Sequence, residues 1–453
     1  MKQLSPLLLF VIVSSIAHAH ARLPAFPSAE GFGGDTPGGR GGRVIHVTTI
    51  EDNDSPGTLR YALTSKGPRI VVFDVGGTIR LKKALHVEGE ERSYLTIAGQ
   101  TAPGGGVCIS NASLIFSGGV HDVVLRYLHI RTGDQGPDRE PDALGINSVY
   151  NMIVDHCSVS WGVDECLSIT AFPKQQGDAH DITVQWCIVS EGLNRSTHSK
   201  GAHSKGLMVA YGPTRITLHH NLIMHCYDRN PYLPTEGEFP YIVDVVNNVV
   251  YNWGNAAGIG YQKTNHNGCI NFVGNYYIAG PSSRPRPCLT MGVNAKIYAR
   301  GNIGPTRTSR DEDEWKAVSW NPKELRPGLK APERFDAPPV ATYSYEETYH
   351  RVLADAGATR PQRDAVDTRL IREVNTGAGR IIDHPSDVGG WPVLDKGVPP
   401  KDSDQDGMPD GWETAQGLNP HDAADANADR DKDGYTNIEE YLNSLVANDP
   451  REP

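Results

Sequence analysis

The sequence lacks most of the signatures that would place it in a common functional class. It has seven cysteines and no CxxC pair, which disfavours a cysteine-based zinc site. No P-loop, dinucleotide-binding motif or Ser–His–Asp order occurs. Beyond the first residues, no apolar run is long enough to cross a bilayer. Basic charge is scarce: 43 Lys and Arg stand against 54 Asp and Glu, a net charge of −11. That balance disfavours nucleic acid or an anionic membrane as a partner. The chain is nevertheless 38% hydrophobic and 21% charged, which argues against wholesale disorder.

Glycine (48) and proline (32) are plentiful and point to many turns between short strands. Lys2 is followed by an apolar run from Leu7 to Ile16, then by Ala17-His18-Ala19 and Ala19-His20-Ala21. These are the parts of a secretory signal peptide over 1–21, so the mature protein is expected to be secreted, with no membrane span. Export permits disulfides, and mostly buried thiols with one or two bridges are expected.

Short β-branched runs recur through the middle of the chain, beginning near Val123, Met152, Ile182, Ile216, Ile242, Ile270 and Ile297. Aligning them puts Tyr127, Cys157, Cys187, Asn221, Asn248, Asn275 and Asn302 at one position, 27–34 residues apart. A period of this length means stacked units that bury a core only together. The repeated Asn suits a ladder in which each amide bonds the next coil. The expected fold is therefore all-β, a right-handed parallel β-helix, assigned to residues 22–305. A β-sandwich would show hairpin turns every 8–12 residues and fits poorly. Residues 306–400 lose the rhythm. Short helices over Tyr345–Gly357 and Asp364–Val374 are expected to pack on the β-helix flank.

Residues 402–440 hold twelve acids and two bases, nearly the whole net charge, and are read as a separate module over 401–445. Two segments there, 402–413 and 429–440, fit the pattern DxDxDGx5E of an EF-hand-type calcium loop. The expected ligands are Asp402, Asp404, Asp406, Asp410 and Glu413 in the first, and Asp429, Asp431, Asp433, Asn437 and Glu440 in the second. Paired loops of this kind resemble those of dockerin-like modules.

Three segments of the middle region resemble polysaccharide lyase family 1, the pectate lyases. They are Val154-Asp155-His156-Cys157, the strand Ile216 to Asn221 with its His219-His220-Asn221 ending, and Arg229-Asn230-Pro231. The resemblance implies β-elimination on an acidic, plant-type polysaccharide such as polygalacturonate, assisted by Ca2+. By resemblance, Arg229 is the base and Lys205 the cation beside the substrate carboxylate. Lys200, in a similar Ser-Lys-Gly, and the neighbouring His203 are candidate substrate contacts. Asp142 and Asp164 match the calcium carboxylates.

Two departures stand out. Ser168 replaces a further family acid, for which Glu165 can compensate. Pro234 occupies the position of a second substrate-binding arginine, whose role is unfilled locally and which Arg195 or Arg215 could supply only from elsewhere. These changes put the preferred uronate polymer in doubt. His156, His219 and His220 lie inside strands and are read as structural. A monomer is expected. The rival reading is a non-catalytic β-helix that binds polysaccharide or a cell-surface partner. A β-helix glycoside hydrolase would need a pair of closely placed acid and base carboxylates, which is not evident.

Overall fold

The computed structural model describes residues 23–171, 179–233, 241–260, 268–292, 295–321 and 328–446. The signal peptide read over 1–21 and Pro234 lie outside them. Every strand pairing is parallel, and successive runs stack into a parallel β-helix with three faces. Sheet A has ten strands, from Arg43–Val47 to Ala295–Arg300. Sheet B has eight, and sheet C is split into five- and three-stranded parts, all counted among the described residues. The last strand of sheet C, Val318–Asn321, lies beyond residue 305.

Alternation within each strand explains the shape. In the strand Arg69–Phe73, Val71 and Phe73 join the interior while Ile70 and Val72 face outward. Both sets are buried, because the outer face of sheet A is itself covered, and strands buried on both faces read as near-continuous apolar runs. Helix α1 (Leu59–Thr64) buries Leu59, Ala62 and Leu63 in the interior cluster near the first coils. The leading segment crosses the outside of sheet A, where Phe26 packs on Val124 and Ile153. Gly33 allows that close approach, since a Cβ there would lie 2.1 Å from the Met152 carbonyl oxygen.

The Asn ladder forms. Nδ2 of Asn221, Asn248 and Asn275 donates to Oδ1 of the next Asn at 3.0, 3.0 and 2.9 Å. Cys187 N–H donates to Asn221 Oδ1, and Cys157 N–H to Cys187 Sγ. Tyr127 is not in this ladder. Parallel register sets Ser158 beside His129, so Leu128 is level with Cys157 and Tyr127 with His156. Tyr127 instead begins a stack with His156, Trp186 and His220, one residue earlier on each coil. All seven cysteines are free thiols, which corrects the expected one or two bridges. Cys157 and Cys187 fill ladder positions, and their thiols donate to backbone carbonyls.

Helices α2 (Tyr345–Asp355) and α3 (Ala365–Thr376) cover the outside of sheet B. Val352, Leu353, Val366 and Leu370 pack against Trp186, Ile188, Leu222 and Tyr251. Burial alone would raise the Asp364 carboxyl, but the buried Arg131 guanidinium beside it holds it well below the usual range. Helices α4 (Asp410–Gln416) and α5 (Asn437–Ser444) belong to the acidic tail. The tail is not detached: Met408, Ile438, Tyr441 and Leu442 pack on Ile70, Val72 and Ala98 of sheet A. Arg40 also pairs with Glu439 at 2.9 Å.

Candidate active site

The site is assembled by stacking on sheet C. Strands Leu144–Asn147, Glu165–Thr170 and Lys205–Ala210 are in register, with Leu144 beside Leu167 and Glu165 beside Lys205. The next coil continues the row through a bridge between Lys205 and Asp228. Residues at the starts of these strands therefore lie one coil apart, about 4.8 Å. Asp142, Asp164, Glu165, Lys205 and Arg229, distant in sequence, are brought together this way.

Asp142 accepts the Glu165 amide at 2.9 Å and the Ser168 hydroxyl at 2.5 Å. Ser168 thus serves the acid of the preceding coil. Desolvation, helped by Asp164, pushes the Asp142 carboxyl up to about 7, against the Ser168 bond and the positive charges of Arg229 and His203. Asp164 goes the other way. Burial would raise it, but the hydrogen bond and charge of His203, at 2.6 Å, hold it below the ordinary range. His198 stacks on His203 with ring centroids 3.8 Å apart. One oxygen each of Asp142, Asp164 and Glu165 lie within 4.8 Å of one another, a set of hard oxygens that suits calcium.

The cations follow on the next coils. Lys205 Nζ contacts Asp228 Oδ2 at 2.7 Å. Arg229 pairs with Glu165, and its Nη1 lies 3.1 Å from Met208 Sδ. Its guanidinium is 5.6 Å from the Tyr232 ring centroid. With a side chain only 24% exposed, Arg229 is no solvated turn residue. Burial draws its guanidinium below the ordinary arginine value, opposed by Asp164, Tyr232 and Asp142. Asp228 and Tyr232 were not picked out as site residues from the sequence. The adjacency of Asp228 to Arg229 was visible, but its place beside Lys205 depends on coil register.

Lys200 stands exposed on the loop after sheet B, while His203 turns its Nε2 to Asp164. Arg215 is on sheet A, paired with Asp181, and Arg195 is exposed with its amide on Asp383. His156, His219 and His220 are buried along sheet A, bonded to Asp155, Gln185 and each other. Asp142 and Asp164 line a groove of about 420 Å³ that runs along sheet C past His86, Asp138 and Glu140. A roomier cavity of about 660 Å³, lined by Arg300, Arg310 and Tyr343, lies elsewhere and lacks the stacked acids.

In the tail, Asp402 accepts the amides of Gln405 and Gly407, and Asp429 those of Lys432 and Gly434, so the two loops close alike. Oxygens of Asp402, Asp404 and Asp406 converge within 4.8 Å. Burial, then the neighbouring acids, pushes Asp406 and Glu413 up to about 7. Asp410 instead accepts from Lys401 and Ser403. In the second loop Asp431 and Asp433 accept backbone amides, and Asn437 Oδ1 and Glu440 Oε1 are buried without a hydrogen-bond partner.

No family model matches the chain. It is 37% identical over 444 residues to "Probable pectate lyase C" of Aspergillus flavus, covering 95% of this chain and 96% of that protein. The protein of the same name from Neosartorya fischeri is 37% identical over 451 residues, covering 98% and 99%. Among solved structures, that of jun a 1, the major allergen from cedar pollen, covers 73% of this chain at 21% identity with a TM-score of 0.49. The two fungal relatives match along nearly their entire length, and the chain belongs to the pectate lyase family.

Proposed function

We propose that the protein is a secreted, calcium-dependent pectate lyase that cleaves a polygalacturonate-type uronic acid polymer by β-elimination. One observation carries the reading: on the coils that follow the acidic groove's Asp142 and Asp164 stand two half-buried cations, Lys205 and Arg229. A polyanion cannot settle among Asp138, Glu140, Asp142 and Asp164 unless positive charge lies between the two sets of carboxylates. Asp142, Asp164 and Glu165 would hold calcium there, and Lys200 offers an exposed charge to the chain of substrate. Bound calcium supplies positive charge to the substrate carboxylate and so acidifies the adjacent carbon-5 proton.

The protein's own groups carry the rest. His203 fixes the Asp164 carboxylate. Arg229, drawn down by burial, takes the carbon-5 proton, while Lys205 offsets the negative charge that develops beside it. The carbon-4 to oxygen bond then breaks, a carbon–carbon double bond forms, and the departing oxygen is protonated by water. The apolar leader supports secretion, and the paired loops support calcium in the tail.

Mass spectrometry of polygalacturonate fragments tests the reaction class. Elimination leaves new ends lighter by one water than hydrolysis would. Saturated ends would make the protein a hydrolase, and binding without cleavage would support the non-catalytic reading.

A further inference from the structure

The first acidic loop of the tail gathers oxygens that nothing in the fold satisfies. Asp406 and Glu413 are 3% and 0% exposed. Both oxygens of Glu413, both of Asp404, and Asp406 Oδ2 are buried with no hydrogen-bond partner. Buried carboxylate oxygens without partners are costly, and together they repel. The nearby base does not relieve them. Lys401 and both polar groups of Ser403 are engaged by Asp410, whose carboxylate is thereby drawn out of the cluster.

A further oxygen takes the vacated direction. Asp425 opens the short 3-10 turn Asp425–Asn427 between the two loops. Its Oδ1 is buried and unpartnered, and one oxygen each of Asp406, Glu413 and Asp425 lie within 4.8 Å of one another. The residue is held in place independently. Its Oδ2 accepts the Asn419 amide at 3.1 Å, and its carbonyl accepts Asn437 Nδ2 at 2.8 Å.

We propose that Asp425 completes the first calcium site of the tail, in the role that loop numbering gives to Asp410. The inference rests on the reading of the tail as a calcium-binding module. Asp402, Asp404, Asp406, Glu413 and Asp425, with the Met408 carbonyl at the seventh loop position, supply the six or more hard oxygens that calcium takes. The site also sits on the docked face of the tail, since Met408 packs with Ile70 and Val72 of sheet A. Calcium here therefore fastens the tail to the β-helix, and links the turn between the loops to the start of α5 through Asn437.

Calcium titration by calorimetry on the full-length protein, without substrate, tests this with Asp425→Asn, Asp410→Asn and Glu413→Gln. Asparagine at 425 keeps an acceptor for the Asn419 amide, and near-ultraviolet circular dichroism in chelator checks that each variant folds as wild type does. Wild type should bind two calcium ions tightly in the tail. Asp425→Asn and Glu413→Gln should each weaken one of them by about tenfold or more, while Asp410→Asn stays within about twofold. If Asp425→Asn binds both as wild type does, or Asp410→Asn is the variant that loses a site, the inference is wrong and the reading of the tail stands. If wild type takes up no tight calcium, both fall together.

Discussion

At the scale of single residues, the groups of the candidate site are ordinary side chains made unusual by their neighbours. Asp142 and Asp164 sit one coil apart, yet burial raises one and His203 lowers the other. A consequence for pH follows from the sign. Asp142 binds its proton more tightly in the folded protein than the ordinary carboxylate near 4, up to about 7. Without calcium, this group makes the fold lose stability as pH rises from about 4 through 7. If Asp142 holds calcium as proposed, proton and metal compete for it. The calcium concentration that half-activates the enzyme should therefore fall as pH rises through about 7, and Asp142→Asn should flatten that dependence. Activity measured against calcium at several pH values checks this. The motifs around Arg229, Asp142 and Asp164 were legible as short sequence signatures. The partners Asp228 and Tyr232 were not, because a single coil says nothing about which residue stands level with it on the next.

At the scale of the element, one period of Asn and β-branched residues specifies the coil. Asn248 shows how much rests on one side chain. Its Oδ1 accepts from Asn221, and its Nδ2 donates to Asn275 and to the Leu218 carbonyl, all in a buried row. Asn248→Ala leaves several of those groups unpaired and should destabilise the protein by about 3 kcal/mol. Denaturant unfolding measures it, and a loss below about 1 kcal/mol would mean that the ladder is ornamental. The ladder was legible from Cys157 onward because the Asn residues recur at a constant 27 residues. It failed at Tyr127, where register places Leu128 in the row. The aromatic stack one position earlier mixes Tyr, His and Trp, so no single residue type announces it. The free thiols have a related cause: cysteine substitutes for Asn as a small buried group, which cysteine counting in an exported chain does not reveal.

At the scale of the whole molecule, the outer faces of sheets A and B are covered by segments whose own sequences look independent. Charge sets the tail apart in the sequence, yet its few apolar residues, Met408, Ile438, Tyr441 and Leu442, find outward-facing residues of sheet A more than 300 positions earlier. No local pattern encodes that meeting. Deleting residues from 401 onward uncovers Ile70 and Val72, each fully buried apolar side chain contributing about 2 kcal/mol. The truncated protein should unfold at a lower temperature but cleave soluble polymer at the wild-type rate per folded molecule. Thermal unfolding followed beside activity separates the two effects. Loss of turnover in a folded truncate would place the tail in the active site.

The central claim is that stacked acids and the buried Arg229 on sheet C perform calcium-assisted β-elimination. The most direct measurement is the ultraviolet absorbance of the unsaturated product formed from polygalacturonate, for wild type and Arg229→Ala, in calcium and in chelator. Wild type in calcium should show a steady rise. Chelator should stop it, and Arg229→Ala should slow it by a factor on the order of a thousand while remaining folded. A rise at the full rate in chelator, or from folded Arg229→Ala, would contradict it.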